Sequence, residues 1–149
     1  MRVCLALLLM LATGLGHAQF GSTAQTDPFG QGAVLTEFLP VDEAYQLAVG
    51  VEEDGALRAY WQIHEGYYLY QHRFGFILDE AGQRIDVNAT LPEALEREDE
   101  YFGEVKVYYH TADLALVPAR QPRGEAVLTV KYQGCADAGL CYPPTTRSF

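Results

Sequence analysis

Basic side chains are scarce. The 149 residues hold 10 Lys and Arg against 20 Asp and Glu, a formal charge of −10. Neutralising phosphates takes Lys and Arg, so this balance argues against nucleic-acid binding. It argues equally against an anionic membrane surface. No basic cluster is longer than two residues. Apolar runs of the roughly 18 residues that a membrane helix needs are also missing. Helix signals are few, no internal repeat occurs, and there are only three cysteines, Cys4, Cys135 and Cys141. What is present is an apolar fraction of 49%, enough to bury a core and to exclude general disorder. The length suits one domain.

The first residues read as a targeting segment. Met1 and Arg2 give a positive start, Val3 to Ala12 is apolar, and Gly16-His17-Ala18 is a small-x-small cleavage site. This is the pattern of a secretory signal peptide over residues 1–18. A lipoprotein signal needs a Cys after the apolar run, and Cys4 lies before it. Removing Arg2 takes the charge from −10 to −11. Residues 19–34 are rich in Gly, Ser, Thr and Gln and read as a flexible leader, with a domain over 35–149. Past the signal only Cys135 and Cys141 remain. In an oxidising compartment such a pair usually forms a disulfide. Closing so short a loop stabilises by only about 2.4 kcal/mol in the loop-entropy account. A poor staple makes redox chemistry worth weighing.

Period-two runs dominate the rest. Leu57, Ala59, Trp61 and Ile63 alternate with polar neighbours. Phe74, Phe76 and Leu78 follow, then Val105, Val107 and Tyr109, then Leu114 and Leu116, then Ala126, Leu128, Val130 and Tyr132. Turn residues separate them at Glu53-Asp54-Gly55, Glu65-Gly66, Asp79 to Gly82 and Pro122-Arg123-Gly124. The pattern predicts an all-β antiparallel sandwich. Single helical turns are expected within Val41 to Leu47 and Pro92 to Glu96.

Three segments hold the chemistry-bearing residues. In Tyr132-Gln-Gly-Cys-Ala-Asp-Ala-Gly-Leu-Cys-Tyr-Pro-Pro144, Gly134 and Gly139 are expected to let the backbone turn so that the sulfurs meet. The pair reads either as an exchanging disulfide or as an inert hairpin staple. A zinc site lacks a second ligand pair. Glu98 to Gly103 sets acidic residues before Tyr101 and Phe102 in a stretch without strand period. Its aromatics either cover a reactive sulfur pair or plug the end of the sandwich. In Gly66-Tyr-Tyr-Leu-Tyr70, Tyr68 and Tyr70 share one strand face, which ordinary sheet packing also explains. His64, His72 and His110 are scattered and receive no role.

Together these segments resemble the periplasmic N-terminal domain of DsbD, the bacterial thiol:disulfide interchange protein. The resemblance rests on Trp61-Gln62-Ile63, Gly66 to Tyr70, Asp99 to Gly103, and the long stretch Tyr132 to Pro144. It implies an immunoglobulin-like sandwich with a redox-active pair, Cys135 and Cys141, acting as a protein-disulfide reductase without metal or organic cofactor. It implies that Cys141 forms the mixed disulfide and that Asp99, Glu100, Tyr101, Phe102 and Gly103 form a cap loop shielding the pair. Tyr68 and Tyr70 fall near the site, and Asp99 and Glu100 lie close enough to disfavour the thiolate. The family's cap aromatic is usually Phe, whereas the aligned residue here is Tyr101, followed by Phe102. The implied electron donor is the C-terminal thioredoxin-like domain of DsbD. The implied acceptors are DsbC, DsbG and the thioredoxin-like protein of cytochrome c maturation. The expected form is a periplasmic monomer that does not bind nucleic acid. Full-length members are tethered to the inner membrane, so this chain is expected to be a fragment or a split version. Read without the resemblance, the residues also allow an exported binding module, an assembly subunit using sheet edges, or, least well, a metal carrier.

Overall fold

In β2 (Leu57–Ile63), Ala59, Trp61 and Ile63 are buried while Arg58, Tyr60 and Gln62 face outward. The alternation seen in the sequence thus decides which face joins the core. The computed structural model describes residues 37–149, so the expectations for the signal segment and leader lie outside the described residues. The remaining strands are β1 (Tyr45–Val51), β3 (Tyr67–Tyr70), β4 (Gly75–Glu80), β5 (Gln83–Ile85), β6 (Val87–Thr90), β7 (Leu95–Asp99), β8 (Gly103–Tyr108), β9 (Thr111–Pro118), β10 (Val127–Tyr132), β11 (Gly134–Ala136) and β12 (Thr145–Ser148). They form three antiparallel sheets in the orders β1-β2-β9-β6, β12-β10-β4-β5 and β11-β3-β8-β7. The predicted all-β fold is therefore found.

The first two sheets share the main core. Trp61, fully buried, meets Tyr132 edge-on at 5.7 Å and Phe74 at 4.9 Å between ring centres. Leu114, Leu116, Leu128 and Val130 fill the rest. β3 is buried on both faces. Tyr67 and Leu69 belong to the main core. Tyr68 and Tyr70 belong to a second cluster with Val105, Val107 and Cys135. One strand thereby ties the cysteines to the sandwich.

After β10 the chain changes sheets. β10 pairs with β4, whereas β11 pairs with β3, Cys135 lying opposite Tyr68. Gly134 sits at the change for a steric reason. A Cβ there would lie 2.3 Å from the Tyr68 carbonyl oxygen and 2.7 Å from the Tyr45 ring. The expectation that Gly134 supplies a turn is thus corrected, since it permits close approach of two backbones. Gly139 does supply a turn, with φ +97°.

One of the two expected helical turns is found, and two further local expectations are corrected. The helical turn is confined to α1 (Val41–Ala44), because Tyr45 onward pairs with β2. No turn of helix forms over Pro92 to Glu96. Instead, Leu95 enters β7, which pairs residue by residue with β8 from Leu95↔Val107 to Asp99↔Gly103. Asp99 and Gly103 are consequently strand residues, and only the tip between them is a turn. β8 stops at Tyr108, and His110 takes a left-handed φ of 61° in the reversal into β9.

Candidate active site around the cysteine pair

Cys135 and Cys141 form a disulfide across a tight hairpin, with Cα atoms 4.0 Å apart. The Ala136 amide donates to the Leu140 carbonyl at 2.7 Å, and the Tyr142 amide to the Gly134 carbonyl at 3.0 Å. These bonds flank the cysteines, which are therefore a non-hydrogen-bonded antiparallel pair, the kind that brings side chains closest. The two sulfurs differ in access. Cys135 is 1% exposed, whereas Cys141 lies partly open to solvent.

Asp99 is the buried carboxylate of this region. Its Oδ2 accepts the hydroxyls of Tyr68 at 2.6 Å and Tyr70 at 2.8 Å. Its Oδ1 accepts the amides of Tyr101 at 2.8 Å and Phe102 at 3.1 Å. Burial pushes the Asp99 pKa upward, but the hydrogen bonds outweigh it and leave the group below its ordinary value. Burial and the bond to Asp99 push Tyr68 up to about 12, and burial raises Tyr70 as well. At neutral pH, then, Asp99 is charged and both tyrosines keep their protons. The Tyr70 oxygen lies 3.1 Å from the Cys135 sulfur and 3.7 Å from that of Cys141. Its hydroxyl hydrogen is directed at Asp99, so Tyr70 faces the sulfurs with oxygen lone pairs.

The tip of the β7–β8 hairpin lies against this cluster. Phe102 meets Tyr70 edge-on at 5.1 Å and His72 at 5.2 Å. The Arg73 guanidinium stands 4.4 Å from the centre of the Phe102 ring, within cation–π range. Tyr101 reaches the cysteine loop itself, its hydroxyl donating to the Gly139 carbonyl at 3.0 Å. Both aromatics stay partly exposed, Tyr101 at 50% and Phe102 at 39%.

The sequence signature described as "Thiol:disulfide interchange protein DsbD, N-terminal" matches residues 36–149. This chain belongs to the DsbD N-terminal domain family. Thiol:disulfide interchange protein DsbD 2 of Pseudomonas aeruginosa is 42% identical over 150 residues, which is 99% of this chain and 23% of that protein. DsbD of Vibrio cholerae is 36% identical over 148 residues, 97% of this chain and 24% of the other. The chain spans about a quarter of the length of these relatives. The reduced DsbD N-terminal domain of Neisseria meningitidis has a similar structure, at 33% identity and TM-score 0.69, covering 75% of this chain and 87% of that one. A complex of the same bacterium's DsbD and PilB N-terminal domains matches at 32% identity and TM-score 0.65, over 76% and 86%. The fold of this family is the immunoglobulin-like sandwich.

Of the residues singled out in the sequence, Cys135, Cys141, Tyr68, Tyr70, Asp99, Tyr101 and Phe102 meet in one network. Gly103 closes the hairpin opposite Asp99, with φ +73°. Glu100 is exposed and makes no side-chain hydrogen bond among the described residues, so of the two acidic residues expected in the cap only Asp99 joins the network. Sequence reasoning missed His72 and Arg73. The signal was available for His72, two residues past Tyr70 and thus near its ring, which it meets at 5.3 Å. Burial and the neighbouring Arg73 hold the His72 pKa below its usual value. His64 and His110 remain outside this network.

Proposed function

We propose that this chain is an exported thiol–disulfide exchange domain, working in the periplasm with Cys135 and Cys141 as its redox pair. One observation carries the reading. Two bonded sulfurs of unequal access sit in a hairpin whose flanking backbone hydrogen bonds do not depend on the sulfur bond. Such a bond can open and re-form without unfolding what holds it.

Reduction begins when a donor thiolate attacks the open sulfur, Cys141. The Cys135–Cys141 bond breaks, Cys135 leaves as thiolate and takes a proton, and a mixed disulfide joins Cys141 to the donor. The donor's second thiol resolves it, leaving the domain as a dithiol. In the forward half-reaction, Cys141 as thiolate attacks an acceptor disulfide. Cys135 then displaces the acceptor, whose cysteines keep the two electrons. Neither half calls for a metal or an organic cofactor.

The hairpin tip acts as the shield, Phe102 over Tyr70 and Tyr101 over the loop. Ionised Asp99 opposes thiolate formation nearby, so the resting dithiol reacts slowly until docking displaces the tip. The donor is the thioredoxin-like C-terminal domain of DsbD. The acceptors are DsbC, DsbG and the thioredoxin-like protein of cytochrome c maturation. The solved complex of a relative's N-terminal domain with another protein's domain is consistent with a role in docking.

The reading is tested by equilibrating the pair against glutathione and then mixing the oxidised chain with a reduced thioredoxin-like donor. Transfer of two electrons within seconds is expected. A disulfide that no such donor reduces contradicts the proposal.

A further inference from the structure

We infer that Arg97 is a positioning residue for disulfide exchange, acting through Asp137 to hold the loop between the cysteines; this rests on the redox reading of that pair. Arg97 projects from β7 on the same face as Asp99. Its guanidinium carbon lies 4.4 Å from the centre of the Tyr68 ring. Nη1 donates both to the Tyr109 hydroxyl and to Oδ1 of Asp137. The Tyr109 hydroxyl donates to that same carboxylate oxygen at 2.8 Å, and the Asp137 amide donates to the Gly66 carbonyl at 2.8 Å. Asp137 stands two residues after Cys135. The loop is therefore strapped to the capping hairpin twice, by Arg97 at its base and by Tyr101 at its tip.

The two straps have different fates. Tyr101 leaves with the tip when a partner docks, whereas Arg97 sits within the paired part of β7 and stays. In the dithiol and in the mixed disulfide, the covalent link across the loop is also gone. The β11–β3 pairing and the Tyr45 hydroxyl on the Cys135 carbonyl still hold the Cys135 end, and the Asp137 anchor is then the side-chain tie that keeps the following turn against Tyr68 and Tyr109. Arg97 further pairs with a carboxylate carried on the loop that joins the two cysteines, in a chain already rich in negative charge.

The step affected is resolution. The Cys135 thiol gives its proton to water and attacks the Cys141 sulfur of the mixed disulfide. The Cys135–Cys141 bond forms, the Cys141–partner bond breaks, and the partner leaves as a thiolate carrying the electron pair. Its rate depends on how closely the loop holds one sulfur to the other, because ordering replaces a random encounter.

The reduced chain is mixed with an aromatic disulfide reagent that releases a coloured thiolate. A first release follows attack by Cys141 and scales with reagent. A second follows closure by Cys135 and does not. Arg97→Gln is expected to slow the second release by about tenfold and the first by no more than about twofold. Arg97→Lys should recover part of the loss, and Tyr109→Phe should show a smaller slowing of the second release alone. An unchanged second release in folded Arg97→Gln overturns the inference. If that variant does not fold, an unchanged second release in Tyr109→Phe overturns it. A native chain with no reagent-independent second release sinks the redox reading instead, which keeps the two failures apart.

Discussion

The Tyr70 hydroxyl oxygen lies 3.1 Å from the buried Cys135 sulfur. The same hydroxyl donates to ionised Asp99, so a chain of three groups links a carboxylate on the capping hairpin to the redox pair. Opening the disulfide leaves a Cys135 thiol that can donate to Tyr70, while Asp99 opposes its loss of a proton.

Neutralising that carboxylate should therefore activate the dithiol. Asp99→Asn is expected to raise the rate of thiol alkylation at neutral pH by about tenfold, roughly one pKa unit of relief from a neighbouring charge. The rate of iodoacetamide labelling across pH checks this. Coincident profiles for native and variant chains would show that Asp99 does not act on the sulfurs.

The tip should limit access to small reagents. With Tyr101→Ala and Phe102→Ala combined, the oxidised chain should react with dithiothreitol about tenfold faster, since the contacts that hold the tip on Tyr70 and on the cysteine loop are lost. Stopped-flow measurement of the reduction rate decides it, and an unchanged rate removes the shielding role.

Acid should loosen the hairpin through Asp99. Its pKa in the folded chain is depressed, so its contribution to stability is fully present above the ordinary unfolded value of about 3.9. That contribution is lost as pH falls through the lower folded value. Urea unfolding of native chain and Asp99→Asn should give a stability gap that narrows as pH drops below about 4. A gap independent of pH would show that the charge of Asp99 contributes nothing to folding.

Gly134→Ala should be severe. The new methyl would fall within 2.3 Å of the Tyr68 carbonyl and 2.7 Å of the Tyr45 ring, both in well-packed surroundings. A loss of about 3 kcal/mol or more is expected by urea unfolding, because backbone must shift to admit it.

The parts of the site that the sequence discloses are those contiguous in it. The cysteine loop is one unbroken stretch, and Tyr68 and Tyr70 share a face because strands have period two. Asp99 was harder to place. β7 is an edge strand with polar residues on both faces, Arg97 and Asp99 inward and Glu96 and Glu98 outward, so no apolar alternation marks it as a strand. Its pairing comes from the open edge of β8, which a local pattern does not contain. Likewise, His72 and Arg73 gain meaning only once Phe102, some 30 residues later, folds against them. Gly134 reads as a turn residue until the crossing of β11 over Tyr45 is known.

The most direct test of the account is the trapping of a mixed disulfide. Cys135→Ser and Cys141→Ser chains, each reduced, are mixed with an oxidised thioredoxin-like partner, and covalent adducts are separated without reductant. Cys135→Ser should accumulate the adduct through Cys141, and Cys141→Ser should form little, because the remaining sulfur is 1% exposed. Absence of adduct from both chains, or trapping through Cys135 in preference to Cys141, would contradict it.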